Sequence, residues 1–228
     1  MDFTLIYILH EDASKQKIKI KGELFKYLIK VRRHGVDDVI NFRNKEDIKR
    51  LYSYKVTNLD GRSLSLELVD FIVQEVKSSK HLHIGWCKID VKSVEKVLAS
   101  LNEIGVDKIT FIDCDRSQKN FKIDYNRFER ILDASSQQCG RTSEMKFDSC
   151  KNIQEFITKY PDTKVFDFCE NILDDDANDF ENILIGCEGG FSKDEKELLK
   201  SQNVFMLKNP MVMRSESAVM AVSSKILF

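Results

Sequence analysis

Near residue 72 the spacing of apolar residues changes character, which limits the chain to two differently built parts. Before that point apolar residues alternate in short runs: Phe3–Leu9, Lys17–Lys21, Val39–Arg43, Leu51–Asn58 and Ser63–Val69. Alternation with a period of two marks half-buried strands. The Asn58-Leu59-Asp60-Gly61 turn joins the last two runs as a hairpin. Gly22–Val31 reads as a helix, and Glu46–Lys49 as a second, shorter one. The expectation is a small β-rich domain over 1–72, closed into a barrel because closure removes exposed strand edges.

After residue 72 strands and helices alternate. Strands are expected at His81–Ile89, Lys108–Asp113, Lys164–Cys169, Asn182–Gly186 and Val204–Leu207. Helices are expected at Lys92–Ile104, Tyr125–Cys139, Ile153–Tyr160, Lys193–Ser201 and Ser215–Leu227. In the first of these, Val94, Val97, Leu98, Leu101 and Ile104 recur at helical spacing, and Gly105 follows as the cap. Such alternation builds βαβ units, so residues 73–228 are expected to form an α/β domain with a mainly parallel sheet. The last helix carries an apolar stripe of Ala218, Val219, Val222 and Ile226. At a chain terminus such a stripe needs a cover, and a second copy related by a two-fold axis is the expected one.

With 228 residues, 42% hydrophobic and 32% charged, the chain can bury an ordinary globular core. It has no apolar run long enough to span a membrane, and its opening residues lack the pattern of a secretory signal. The expected location is the cytoplasm. Six cysteines at 87, 114, 139, 150, 169 and 187 contain no C-x-x-C pair, so no metal site is expected and the thiols are expected to be free.

The net charge of −1 is unevenly spread. Between Ser14 and Arg33 lie eight basic residues and one acid. The lysines of Lys-Ile-Lys-Ile-Lys suit the solvent face of a strand. Lys30, Arg32 and Arg33, with Phe25 and Tyr27 close by, suit RNA, since cations hold phosphates and aromatic rings stack on bases.

Two segments of the second part concentrate unusual residues. In Ile183-Leu-Ile-Gly-Cys-Glu-Gly-Gly-Phe-Ser-Lys-Asp-Glu195 an apolar strand runs into Gly186, Gly189 and Gly190. Ser192 and Glu195 then form a capping box for the next helix. Glycines beyond a strand's carboxyl end permit positive φ and let a ligand approach the backbone, the usual location of ligands in open α/β sheets. A plain strand-to-helix turn is the alternative. The second segment, Leu207-Lys-Asn-Pro-Met-Val-Met-Arg-Ser-Glu-Ser-Ala218, places Arg214 immediately before the last helix.

Taken with Gln137-Gln-Cys-Gly-Arg141, the Ile-Gly-Cys-Glu-Gly-Gly-Phe-Ser and Val-Met-Arg-Ser-Glu-Ser-Ala runs resemble the RsmE family of SPOUT-class methyltransferases, which act on small-subunit ribosomal RNA. Val31-Arg-Arg-His-Gly-Val-Asp-Asp38 is similar to that family's N-terminal motif, so the resemblance extends to a PUA-like barrel. The chain departs from the family pattern at Gln137 (Glu), Cys187 (Pro), Asn209 (Gly), Met211 (Arg) and Ser217 (Thr). The resemblance implies a C-terminal trefoil knot, a homodimer, and S-adenosylmethionine held by Gly186, Cys187, Glu188, Gly189, Gly190, Leu207, Asn209, Val212, Met213 and Ser217. It further implies methylation of N3 of a uridine in 16S ribosomal RNA, with Arg141, Arg214 and Glu216 near the reaction. Uracil N3 is nucleophilic only once its proton is lost, so an Arg near O2 or O4 would stabilise the developing anion.

Three rival readings remain, two from the residues alone and one from the resemblance. Cys187 beside glycine amides could be a nucleophile, but it needs a nearby His, and all four (His10, His34, His81, His83) lie far back in the sequence. A non-catalytic RNA-binding protein needs only the basic N-terminal segment. A related methyltransferase with a different RNA target is a third possibility.

Overall fold

The computed structural model describes residues 6–173, 180–208 and 211–228. It divides into two compact units, 1–76 with 136–142, and 77–135 with 143–228.

The first unit is a five-stranded sheet with strand order β1-β3-β4-β5-β2. Its strands are β1 (Ile8–Leu9), β2 (Lys17–Lys21), β3 (Val39–Asn44), β4 (Asp47–Leu59) and β5 (Ser63–Val73). In β2 the burial alternates strictly: Ile18 and Ile20 are buried, while Lys17, Lys19 and Lys21 face solvent. The Gly22–Val31 helix forms in two parts, α1 (Gly22–Lys26) and a π-helical turn over Tyr27–Val31. The expected helix at Glu46–Lys49 is absent. Asp47 instead pairs with Asn44 at the start of β4, because the β3–β4 hairpin satisfies this backbone through the antiparallel ladder.

The second unit is a six-stranded sheet with strand order β11-β9-β10-β6-β7-β8, and every pairing in it is parallel. Its strands are β6 (His83–Cys87), β7 (Lys108–Ile112), β8 (Lys146–Cys150), β9 (Lys164–Phe166), β10 (Asn182–Ile185) and β11 (Asn203–Phe205). All five residues of β6 are buried, as expected for a central strand covered on both faces. The helices are α2 (Val91–Ile104), α3 (Tyr125–Cys139), α4 (Ile153–Lys159), α5 (Lys193–Leu198) and α6 (Ser215–Leu227). Gly105 caps α2 with φ 109°, a left-handed conformation that favours glycine.

Three further expectations need correction. The β8 strand adds to the expected set; its Lys-Phe-Asp-Ser-Cys run has no apolar stretch and lies at a sheet edge. The stripe of α6 is covered within the chain: Ala218, Val219, Val222 and Ile226 are each at most 4% exposed, and α6 packs on α2. It therefore gives no argument for a second copy. Cys87 and Cys114 are joined in a disulfide, with Cα atoms 5.9 Å apart, while Cys139, Cys150, Cys169 and Cys187 are free. Cys87 ends β6 and Cys114 lies just past β7, its parallel neighbour, so strand pairing brings together two residues 27 apart in sequence.

Candidate cofactor site

A pocket of about 290 Å³ opens beyond the carboxyl ends of β9, β10 and β11. This is where open parallel sheets receive ligands. Its first wall is the glycine loop after β10. Gly186, Cys187, Glu188, Gly189 and Gly190 all line it. Gly190 has φ 63°, so the chain can turn there, and its N–H donates to Cys187 O at 2.9 Å. Ser192 accepts from the Glu195 N–H while the Glu195 carboxylate accepts from the Ser192 N–H, closing the capping box of α5.

The second wall is the segment after β11, where Met206, Leu207, Met211, Val212 and Met213 line the pocket. Asn209 lies outside the described residues. Ser215, at the first position of α6, joins the two walls: its hydroxyl donates to Gly186 O at 2.6 Å and accepts from Trp86 Nε1 at 2.8 Å. Ser217, expected to hold the cofactor, is exposed and outside the lining.

The third wall goes beyond the expected residues. Phe166, Asp167 and Phe168 follow β9, and Arg116 follows β7. Arg116 donates to Gly189 O at 2.5 Å and its own carbonyl accepts from Cys187 Sγ at 3.2 Å. A Cβ on Gly189 would stand 3.1 Å from Arg116 Cδ, tight enough that the Arg116 side chain would have to shift by a few tenths of an ångström. The only signal in the sequence is an Arg just beyond a strand end, since these two residues are 73 apart.

The remaining expected residues lie away from this lining. Arg214 is exposed immediately before α6. Glu216 is half-buried in the first turn of α6, and its Oε2 is buried with no hydrogen-bond partner among the described residues. Arg141 is 5% exposed, in the 136–142 segment that clusters with the first unit, and its carbonyl accepts from the Tyr7 hydroxyl at 2.8 Å. Lys30, Arg32 and Arg33 are exposed at the end of the π-helical turn, with Arg33 at φ 60°.

The chemistry of the walls is mixed. Aromatic and aliphatic side chains suit a flat base. Backbone amides and carbonyls of the glycine loop suit its polar edge, and Asp167 and Glu188 suit a diol or a cation. Asp167 is paired with Lys196 at 2.7 Å. The residues therefore fit a nucleoside-bearing, positively charged cofactor. They do not suit nucleophilic catalysis by Cys187. Burial pushes that thiol up, its Sγ donates to carbonyls, and protonated thiols are poor nucleophiles. Among the described residues no cluster of His, Cys, Asp and Glu is placed to hold a metal ion, and no helix is long and apolar enough to cross a membrane.

Comparison with known proteins agrees with this geometry. A family model described as an RNA methyltransferase domain matches residues 76–227. The ribosomal RNA small subunit methyltransferase E of Helicobacter pylori is 34% identical over 221 residues, covering 96% of this chain and 97% of that protein. The protein of the same name from Neisseria gonorrhoeae, solved bound to S-adenosyl methionine, shares the fold with a TM-score of 0.72 at 16% identity, over 96% of this chain and 95% of that one. A methyltransferase structure from Legionella pneumophila, in complex with the same cofactor, has a TM-score of 0.70 at 19% identity, over 97% and 95% of the two chains. Full-length identity at this level, with a matching domain around the pocket, has a direct consequence: the chain belongs to the ribosomal RNA small subunit methyltransferase E family.

Proposed function

We propose that this protein transfers a methyl group from S-adenosylmethionine to N3 of a uridine in the 16S ribosomal RNA of the small ribosomal subunit. The observation that carries the reading is the pocket beyond β10, whose glycine loop, aromatic wall and two carboxylates, Asp167 and Glu188, suit that cofactor. Bound there, S-adenosylmethionine supplies an electrophilic methyl carbon on a sulfonium. Gly186, Cys187, Glu188, Gly189, Gly190, Leu207, Val212 and Met213 would hold it, joined by Ser215 and Arg116 from the lining; Asn209 and Ser217 enter only as positions of the family motif.

The protein's own part in the chemistry is to position and to stabilise charge. The uracil must present N3 without its proton, and Arg214 beside O2 or O4 would favour that anion electrostatically. Glu216, whose buried Oε2 has no partner among the described residues, is the group we assign to orient a cation at this point. Holding the nucleophile in line with the methyl carbon supplies much of the remaining rate.

The same reading makes the segment 1–72 a PUA-like barrel that binds RNA through Lys30, Arg32 and Arg33, and 73–228 a trefoil-knotted SPOUT domain. It also gives the protein a cytoplasmic location and makes it a homodimer in which Arg141 of one copy serves the site of the other. Phe168, Met211 and Val212, 68%, 69% and 79% exposed at the pocket rim, form an apolar surface that a second copy would cover. The test is transfer of labelled methyl from S-adenosylmethionine to purified small ribosomal subunits, followed by nucleoside analysis. N3-methyluridine is the expected product. Cofactor binding without any transfer would instead favour a different RNA target, and RNA binding without cofactor binding a non-catalytic role.

A further inference from the structure

Residues 113–118, between β7 and α3, are fastened at both sides. On one side Cys114 is bonded to Cys87 at the end of β6. On the other, the loop is hydrogen-bonded to the cofactor-pocket wall. The Arg116 guanidinium donates to Gly189 O and its carbonyl accepts from Cys187 Sγ, the Asp115 N–H donates to Glu195 Oε1 at 2.9 Å, and Ser192 Oγ donates to Asp115 Oδ2 at 2.5 Å. The disulfide therefore anchors the loop that braces the glycine loop.

We propose that Cys87–Cys114 is a thiol–disulfide exchange site whose oxidation state sets affinity for S-adenosylmethionine, the bridged form binding more tightly. The inference rests on reading this pocket as the cofactor site. The co-reactant is a low-molecular-weight thiol–disulfide couple. Cys87 is 1% exposed and Cys114 half-buried, so the incoming thiolate attacks Cys114 Sγ. The S–S bond breaks, Cys87 leaves as a thiolate and takes a proton, and a mixed disulfide remains on Cys114. A second thiol then attacks that mixed disulfide. The products are two protein thiols and one small-molecule disulfide, which balances the two electrons, and the reverse reaction restores the bridge. A disulfide in a reducing compartment is ordinarily a transient or sensing one, in keeping with the location proposed above.

Reduction releases the Cys114 anchor without removing any lining side chain, but it loosens the loop that carries Arg116 to the glycine loop. Ordering the loop must then be done at the expense of binding energy, a coupling that ordinarily spans roughly 5- to 150-fold in affinity. The test uses the full chain, air-oxidised or reduced with dithiothreitol, with the bridge verified by peptide mass mapping of alkylated samples. Calorimetry with S-adenosylmethionine should give at least about fivefold weaker binding after reduction. Hydrogen exchange without cofactor should quicken across 113–118 and 186–192. A Cys87→Ser, Cys114→Ser double variant should match the reduced protein and ignore dithiothreitol. Equal affinity and equal exchange in the two states would overturn the switch. No binding in either state, alongside redox-dependent exchange, would overturn the cofactor reading and leave the mechanical link standing. Thiols at 87 and 114 that stay unbridged under oxidised glutathione would overturn the exchange site itself.

Discussion

Trp86 on β6 and Ser215 at the start of α6 are hydrogen-bonded, the indole Nε1–H donating to Ser215 Oγ at 2.8 Å. The same hydroxyl donates to Gly186 O at 2.6 Å, so one serine ties the central strand, the last helix and the glycine loop together. Replacing Ser215 by Ala leaves a buried indole N–H and a loop carbonyl unpaired. The expected cost is about 1–3 kcal/mol, read as a lower denaturant midpoint at constant slope. Trp86 is the protein's one tryptophan, so its emission reports this junction. Cofactor titration should change that emission in the parent and change it less in Ser215→Ala. An unaltered midpoint would mean that water or a neighbouring group replaces the hydroxyl.

Gly189→Val places a branched side chain where even a single Cβ would stand 3.1 Å from Arg116 Cδ. Cofactor binding should collapse while the far-ultraviolet circular dichroism remains that of the parent. Mixing this variant with Arg141→Ala tests the shared site. A heterodimer holds one site with both lesions and one with neither, so random pairing should return up to about a quarter of the parent's sites. No recovery from proven heterodimers would leave Arg141 a structural residue of its own segment, which its burial suits.

His83 supplies a pH-dependent part of the stability. It is 2% exposed, with Nδ1 2.9 Å from Asn182 Oδ1 and Nε2 2.7 Å from Thr110 Oγ1. Burial lowers its pKa to about 4, with Lys108 and His81 adding to the fall while Asn182 and Asp148 oppose it. The unfolded chain binds the proton near pH 6.5 and the folded one does not, so stability is complete above about 6.5 and falls as pH drops toward 4. The loss approaches about 3 kcal/mol at the lower limit. Asp148, held at about 2, titrates below this window. Urea unfolding from pH 7 to 4 should show the decline, and His83→Gln should flatten it. Parallel profiles for the two proteins would assign the decline to other groups.

Changing Lys30, Arg32 and Arg33 together to Ala should weaken RNA binding and shrink the dependence of log K on log salt. The slope should fall by up to about one for each phosphate that is no longer neutralised. An unchanged slope would place these three exposed cations outside the RNA interface.

Local signals were legible where the chain's own backbone satisfies them. The Ser192–Glu195 capping box, the Gly105 cap, the alternation of β2 and the limits of Tyr125–Cys139 all depend on residues a few positions apart. Asp47 at the start of β4 depends instead on a hairpin partner, and β8 on a neighbouring strand that pairs with an otherwise polar run. The glycine loop was readable because positive φ and close approach leave a composition trace. The Cys87–Cys114 bridge and the cover over α6 leave none, and Arg116 leaves only its place beyond a strand end, since these contacts arise from parallel strands and a helix meeting across long separations.

Methylation of N3 by this protein is checked by mass mapping of 16S ribosomal RNA from cells with and without it. One N3-methyluridine is expected to disappear without the protein, return with the parent chain and stay absent with Gly189→Val. A methylation pattern identical in the presence and absence of the protein would contradict it.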